Sequence, residues 1–234
     1  MPHLGHSARI LVATQDVATS LAAWLAIGFT LLAADESLPP TFARLTDGQV
    51  IVTLMQTTVS SPTLAYFNSD PELLHKELQA GNLGSMPVSP SELNVTGPGG
   101  MEMFVHRQPE TKALRPTREG NPVLGYFDGM IVPVKDVAQE KTMAEMMGFI
   151  VTEEHAQPFP RVDMTDGHMS ISLQQTAVAG RPLVYDGDLD DDTIADLQER
   201  CGDRCEVFRS PEGQPLFIRI VMPEGTTVLV MSDE

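Results

Sequence analysis

Cationic side chains are scarce in this sequence. Its 234 residues include 15 lysines and arginines against 32 aspartates and glutamates, so the formal net charge is −17. A surface with this excess of negative charge repels the phosphate groups of nucleic acids and of anionic membranes. Nucleic acids and membranes are therefore not expected as partners. The charge by itself indicates a well-solvated surface, and a cationic ligand or partner is the alternative interpretation.

Cysteine is almost absent as well. The two cysteines, Cys201 and Cys205, are spaced neither as a CxxC redox pair nor as half of a zinc site. This usage is typical of a protein in the reducing cytoplasm, which is the expected location. The sequence leaves open whether the two thiols stay free or form one local disulfide.

Long hydrophobic runs are missing too, with one partial exception. Residues 17–34 are mostly apolar, but polar residues such as Thr19 interrupt the run. The corresponding segment further along the chain, residues 137–150, contains Glu140 and Lys141. A helix with such charges does not cross a bilayer. Both segments are therefore predicted to be amphipathic helices that pack on a sheet.

The sequence does contain an internal repeat. Asp16 and Val17 recur 120 residues later as Asp136 and Val137, and each pair precedes a helical pattern that ends in Gly-Phe. The further identities, most of them at an offset of 119 residues, are Gly28–Phe29 with Gly148–Phe149, Thr46–Gly48 with Thr165–Gly167, Gln56–Thr57 with Gln175–Thr176, Leu64 with Leu183, Tyr66 with Tyr185, and Leu78–Gln79 with Leu197–Gln198. Chance does not produce this many matches in register, so the chain is a tandem duplication.

Each copy divides again into two similar modules. In the first module Asp16 is placed to cap a helix that Gly28 ends, and strand-like segments flank this helix. In the second module Pro71 stands in the first turn of another helix. The second copy repeats this scheme from Met130 and again from Leu183. The sequence thus predicts an α+β fold of four β-α-β-β-β modules.

Four such modules in one chain resemble the vicinal oxygen chelate superfamily of glyoxalases, extradiol dioxygenases and bleomycin-resistance proteins. Residues 125–136 are similar to the opening strand and Val-Lys-Asp turn of that family, and Gly148–Phe149 to its helix exit. Residues 97–100 and 210–213 are similar to its Asp-Pro-Asp-Gly turn before a closing strand. The resemblance covers nearly the whole chain.

This resemblance implies two tandem glyoxalase-like halves, residues 1–115 and 116–234, joined by a linker over residues 108–121. Each half is expected to contain two modules whose mixed β-sheets curl around clefts and carry flanking helices. Family members that carry out chemistry bind a divalent metal through His, Gln or Glu side chains on the first and last strands of paired modules.

The metal-binding positions of the family hold other residue types in this chain. Counted from the turn aspartates and along the last strands, they are Arg9, Thr53, Thr63, Phe104, Gly129, Ser172, Arg181 and Leu229. None supplies an imidazole or a carboxylate, and a guanidinium stays protonated and cannot coordinate. No metal cofactor is therefore expected, although a divalent ion bound through displaced ligands remains an alternative. His106, His155 and His168 are the fallback ligands for that case.

The same eight positions are the candidate ligand-binding residues of the clefts. Without a metal, a cleft can bind a molecule without chemistry or be filled by side chains. The leading hypothesis is a protein like glyoxalase and bleomycin-resistance proteins that binds or sequesters a small organic molecule. The alternatives are a lyase, isomerase or dioxygenase with displaced or no metal ligands, and a protein-interaction module. No catalytic residue is assigned, and a monomer and a homodimer are both compatible with the duplication.

Overall fold

The described part of the chain contains sixteen strands, four α-helices and two short 3-10 helices, Pro98–Gly100 and Gly202–Arg204. The structure is a computed structural model that describes residues 3–109, 120–176 and 180–232. The first half contains β1 Ser7–Ala13, α1 Val17–Ala26, β2 Thr30–Ala34, β3 Phe42–Thr46, β4 Ile51–Met55, β5 Thr63–Phe67, α2 Pro71–Ala80, β6 Ser85–Ser89, β7 Glu92–Thr96 and β8 Glu102–His106. The second half contains β9 Tyr126–Pro133, α3 Val137–Met146, β10 Ile150–His155, β11 Arg161–Thr165, β12 Ser170–Gln174, β13 Leu183–Asp186, α4 Asp191–Cys201, β14 Cys205–Arg209, β15 Pro215–Val221 and β16 Thr227–Met231.

The order of strand, helix and three strands occurs four times, which confirms the predicted α+β class and the two tandem halves. The strand order is β2-β3-β4-β1-β5-β8-β7-β6 in the first sheet and β10-β11-β12-β9-β13-β16-β15-β14 in the second. The sheets are mixed, because β8 runs parallel to β5 whereas β7 runs antiparallel to β8. The two orders are the same in terms of the repeat, so duplication extends to the topology.

Aspartate caps the helix of every module. Asp16 accepts a hydrogen bond from the backbone nitrogen of Thr19 at 3.0 Å, and Asp136 accepts from that of Gln139 at 3.0 Å. Asp70 and Asp190 fill the same role for α2 and α4. These contacts satisfy backbone N–H groups that have no partner within the helix. The cap predicted at Asp16 is confirmed.

Glycine ends the helix in the two modules that open the halves. Gly28 has a φ of 92° and Gly148 a φ of 100°. Both values lie in the left-handed region, where a side chain is strained and glycine is not. The Gly-Phe repeat therefore marks two equivalent helix exits, after which Phe29 and Phe149 enter the core.

The strands alternate between a buried face and an open face. In β8, for example, Met103 and Val105 are fully buried, whereas Glu102, Phe104 and His106 are partly exposed. This period of two is what a half-covered sheet requires. The residues that alternate with the core positions form what we call the open face of each sheet.

One of the three strands expected after α2 could not be located from the sequence. The pattern indicated strands only near residues 94–96 and 101–106, whereas the structure places β6 before them, paired antiparallel with β7. Its Met86, Pro87 and Val88 are all exposed, and β6 lies at the end of the strand order. An edge strand needs no apolar alternation and tolerates proline, so the usual pattern was absent.

Residues 110–119 of the linker, including the boundary between residues 115 and 116, lie outside the described residues. Among the described residues, no helix has the length and apolar character needed to cross a membrane. Cys201 and Cys205 are both buried, and both are free thiols.

Contacts group the chain into two compact units, and each unit contains one module from the first half and one from the second. Unit A contains β5–β8, α2, β10–β12 and α3, and unit B contains β2–β4, α1, β13–β16 and α4. Strands β1 and β9 are divided between the units, at Ile10 and Gly129 respectively. Close contacts therefore join the second and third modules in unit A, and the first and fourth modules in unit B.

A tyrosine and an aspartate connect the two modules of each unit. In unit B the buried Tyr185 hydroxyl donates to Asp47 Oδ2 at 2.7 Å. Asp47 Oδ1 in turn accepts from the backbone nitrogens of Gln49 and Val50, at 2.8 and 2.9 Å. Burial first, and the Asp47 carboxylate second, raise the pKa of Tyr185 well above its usual value. The phenol therefore stays protonated and acts as a donor.

Unit A contains the equivalent pair, Tyr66 and Asp166. Asp166 Oδ1 accepts from two backbone nitrogens of its own turn, those of His168 and Met169, each at 2.8 Å. Burial and then the Asp166 carboxylate raise the pKa of Tyr66 as well. The Tyr66 hydroxyl makes no hydrogen bond of good geometry with the residues that the structure describes, so this contact is looser than the pair in unit B.

We expect Tyr185→Phe to lower the free energy of unfolding by about 1–3 kcal/mol, because it leaves a partly buried carboxylate oxygen without its donor. Tyr66→Phe should cost less, since its hydroxyl is less well bonded. Urea denaturation of the full chain measures both effects. Tyr126→Phe is the matched control, because Tyr126 is exposed. Equal unfolding midpoints for Tyr185→Phe and the control would contradict the role of the pair.

Candidate functional site

The eight candidate positions lie where the repeat predicted, with one exception. Seven belong to the first or last strands of modules, namely Arg9 in β1, Thr53 in β4, Thr63 in β5, Phe104 in β8, Gly129 in β9, Ser172 in β12 and Leu229 in β16. Arg181 precedes β13 and is not part of a strand. Their role in binding a ligand remains a prediction.

In unit A, candidate side chains already have partners within the protein. The Thr63 hydroxyl donates to the carbonyl oxygen of Glu102. Ser172 Oγ accepts from Gln174 Nε2 at 2.9 Å. These hydroxyls are therefore engaged in neutral hydrogen bonds, which is a poor starting point for coordinating a divalent ion.

In unit B, Arg181 is engaged as well. Its Nη1 donates to Ser60 Oγ at 3.2 Å and to the carbonyl oxygen of Pro62 at 3.1 Å. Thr53 is buried, and its Oγ1 has no hydrogen-bond partner in the described part of the chain, but one hydroxyl is a weak sole ligand. The residues at the family's metal positions therefore do not fit a divalent metal.

A stack of side chains covers the open face near β5 and β8 in unit A. The Arg9 guanidinium lies 3.8 Å from the centroid of the Phe67 ring. The Phe67 ring stacks on the His106 ring, with centroids 4.9 Å apart. His106 Nδ1 lies 3.4 Å from Glu92 Oε1 across the antiparallel pair β7–β8. A cation–π contact and an aromatic stack thus occupy the face on which the candidate residues Arg9 and Phe104 lie.

An open cavity of about 700 Å³ lies elsewhere in unit A. It is formed by the turn before α3, the first residues of α3 and the facing ends of β10 and β11. Its charged and titratable lining residues are Lys135, Asp136, Lys141, Glu154, His155 and Arg161. Three cationic side chains against two acidic ones is an unusual local balance in a chain with a net charge of −17.

The cations of this cavity differ in how they are paired. Lys141 Nζ forms an ion pair with Glu154, and this contact raises the pKa of Lys141. Arg161 Nε lies 3.1 Å from Asp163 Oδ2. Among the described residues Lys135 has no ion-pair partner. Lys135 is therefore the cation that a bound anion would meet without displacing a carboxylate.

The repeat places a second cavity at the equivalent turn in unit B. It has a volume of about 380 Å³, and Gln15 lines it at the position that Lys135 has in the second half. Asp16 and Glu224 also line it, whereas no cationic residue is among its described lining residues. Glu224 Oε1 accepts a hydrogen bond from Trp24 Nε1 at 3.0 Å. The two cavities therefore share a place in the module but have opposite charge.

The fallback histidines lie in three different settings. His106 belongs to the aromatic stack, and His168 is exposed in the turn before β12. His155 lines the larger cavity and lies close to Glu153 and Asp163. Among the described residues, Glu153, His155 and Asp163 are the one group of His, Cys, Asp and Glu side chains close enough to share a metal ion.

Sequence reasoning missed the cavity at α3, although the repeat contained a signal for it. Lys135 stands where the first half has Gln15, and this difference is visible at an offset of 120 residues. The contribution of Arg161 to the cavity depends on where β11 begins and on the register of β11 with β10, which places Arg161 opposite His155. The sequence did not determine this register.

Comparison with known proteins adds information about the fold. No protein-family model matches the sequence, and no curated protein matches it either. Among solved structures, a variant of homoprotocatechuate 2,3-dioxygenase from Brevibacterium fuscum has a TM-score of 0.65 at 16% identity and covers 100% of this chain and 72% of its own. A catechol 2,3-dioxygenase has a TM-score of 0.63 at 13% identity, with coverage of 99% and 88%. The homoprotocatechuate 2,3-dioxygenase of Arthrobacter globiformis has a TM-score of 0.66 at 15% identity, with coverage of 99% and 80%.

The structures that this chain is similar to are thus extradiol dioxygenases, as the sequence resemblance led us to expect. At these identities the likeness establishes the fold. The vicinal oxygen chelate architecture predicted from the repeat is therefore confirmed, whereas activity has to be argued from the residues of this chain.

The stack around His106 predicts a pH dependence. Burial is the largest effect and lowers the pKa of His106 from 6.5; Glu92 opposes this shift and Arg9 adds to it. Because the folded state binds the proton less well than the unfolded chain, His106 is expected to cost stability as the pH falls below about 6.5. An NMR titration of the His106 ring should give a midpoint below 6.5, and Glu92→Gln should lower it further.

Glu206→Gln is the control for this titration, because Glu206 is exposed and belongs to unit B. It should leave the His106 midpoint unchanged. A midpoint at or above 6.5, or a rise in Glu92→Gln, would show that burial does not dominate at this histidine.

Proposed function

We propose that the protein binds a small organic anion, such as a carboxylate, in the cavity at the start of α3, without a metal at the positions that the family uses. The observation that supports this most directly is the lining of the cavity by Lys135, Lys141 and Arg161. Binding or sequestration of this kind requires no reaction, and it agrees with the absence of suitable metal ligands at the eight candidate positions.

The charge of this cavity contrasts with that of the rest of the chain. The rest of the chain is strongly acidic, so an anion is repelled by most of the surface and attracted where cations converge. Lys135 offers a charge that no described carboxylate neutralises, and Arg161 offers a planar donor suited to carboxylates. The equivalent cavity in unit B has Gln15, Asp16 and Glu224 instead, and it provides an internal comparison.

The competing function is an enzyme of the lyase, isomerase or dioxygenase type. The structural neighbours are named for chemistry on two small organic compounds, catechol and homoprotocatechuate. One observation in this chain favours this alternative, namely the position of His155 both in the cavity and beside two carboxylates. Turnover of a bound compound would distinguish an enzyme from a protein that only sequesters its ligand.

The proposal is tested by binding of small aromatic carboxylates, with their neutral amides for comparison. Calorimetry and thermal shift should detect the carboxylates and not the amides, and the affinity should fall at high salt. Lys135→Gln introduces the residue of the first half and should weaken binding by about threefold to tenfold, as expected for one exposed charge.

The matched control is Gln15→Lys, which adds a cation to the other cavity and should leave the affinity at the first site unchanged. Equal binding of carboxylates and amides would contradict an anion site. Unchanged affinity in Lys135→Gln would show that the ligand binds elsewhere, for example at the open faces that carry the eight candidate positions.

A further inference from the structure

Three potential metal ligands lie on one face of a two-stranded ladder in unit A. Glu153 and His155 are two residues apart in β10, so their side chains point to the same side. Asp163 in β11 pairs directly with Glu153, and Arg161 pairs with His155. The ladder itself therefore brings an imidazole and two carboxylates together.

The distance from His155 to Glu153 matches the spacing of ligands around one ion, and the distance from His155 to Asp163 is about 0.3 Å wider than this spacing. His155 Nε2 lies 3.3 Å from Glu153 Oε2 and 3.9 Å from Asp163 Oδ2, and the three ligand atoms all lie within 4.8 Å of one another. Zinc bonds of about 2.0–2.2 Å in tetrahedral geometry place neighbouring ligands roughly 3.3–3.6 Å apart. His155 Nε2 is shielded from solvent and has no hydrogen-bond partner among the described residues.

From this geometry we infer that Glu153, His155 and Asp163 form a binding site for a divalent transition metal such as zinc, with water completing the coordination. The site is distinct from the eight positions derived from the family, because its ligands come from β10 and β11 and not from the first and last strands of modules. It does not depend on the proposed anion binding.

The first half shows that the fold does not require these residues. The equivalent pair of strands, β2–β3, has the same register and the same irregularity, with Ala33 opposite Arg44 where the second half has Glu153 opposite Asp163. An alanine and an arginine thus support the ladder as well as two acids do. The carboxylates of the second half are a local difference that the strand pairing does not explain.

Arg161 allows the metal site to be distinguished from an ordinary ion-pair cluster. Its Nε lies 3.1 Å from Asp163 Oδ2, so it competes with a metal for the same carboxylate. If the cluster only serves ion pairing, removal of Arg161 creates no affinity for metal. If the cluster is a metal site, Arg161→Gln removes a competing positive charge and strengthens binding.

The experiment is a zinc titration of the full chain, freed of metal by a chelator that is then removed. His3 and His6 are replaced by glutamine in every sample, because two histidines near the N-terminus are a second possible zinc ligand pair. Calorimetry should show one equivalent of zinc with a Kd of about 10 µM or tighter, and elemental analysis after desalting should show the same stoichiometry. His155→Gln should weaken binding by at least about tenfold, whereas Arg161→Gln should strengthen it about threefold or more.

His168→Gln is the matched control, because His168 is an exposed histidine of the same unit, and it should bind zinc like the parent. Asp163→Asn is the second ligand variant, in case His155→Gln does not fold by circular dichroism. The inference is overturned if the parent and Arg161→Gln both fail to bind zinc, or if folded ligand variants bind it unchanged. Lys135→Gln should retain zinc affinity, so failure of the anion proposal and failure of the metal proposal give different results.

Discussion

The hydrogen bond from Tyr185 to Asp47 is the contact on which the arrangement of modules in unit B depends. Asp47 is already fixed by two backbone N–H groups of its turn, so its second oxygen presents a charge in a defined place. A buried phenol that donates to this oxygen satisfies both groups, and loss of either leaves a buried or partly buried polar atom unpaired. Tyr66 and Asp166 occupy the same places in unit A. The tyrosine and the aspartate are both identical between the two halves, and they are the two ends of one contact.

This constraint separates what the duplication keeps from what it changes. The helix caps, the glycine exits, the strand order and the Tyr–Asp pairs recur, because each is needed for a module to fold or to pack on another. The open faces and the cavity linings carry no such requirement. Gln15 and Lys135 occupy equivalent turns with different charges, and Arg44 and Asp163 occupy equivalent ladder positions with opposite ones. Chemical differences between the halves are therefore concentrated where the fold leaves the residues free.

The sequence predicted the repeated features well and the local pairings poorly. Asp16 and Gly28 act through neighbours in the chain, so their roles as helix cap and helix exit could be inferred directly. Strand β6 lacked alternation because it is an edge strand, and it was missed. The cluster around His155 depends on the register of β10 with β11, which shifts between Val151 and Glu153. A shift of one residue there changes which side chains share a face, and no pattern in the sequence revealed it.

Arg9 explains why a cation site in this chain would lie away from the family's positions. Its guanidinium occupies a first-strand position where metal-binding members provide a neutral or anionic ligand, and it is held over the Phe67 ring. A divalent ion at that place would have to approach a fixed positive charge in a largely buried setting, where Coulomb repulsion is poorly screened. On the strands β10 and β11, by contrast, two carboxylates flank an imidazole. A metal would have to displace the guanidinium of Arg161 from one oxygen of Asp163. The electrostatics therefore disfavour a metal at the position of Arg9 and favour one on β10 and β11.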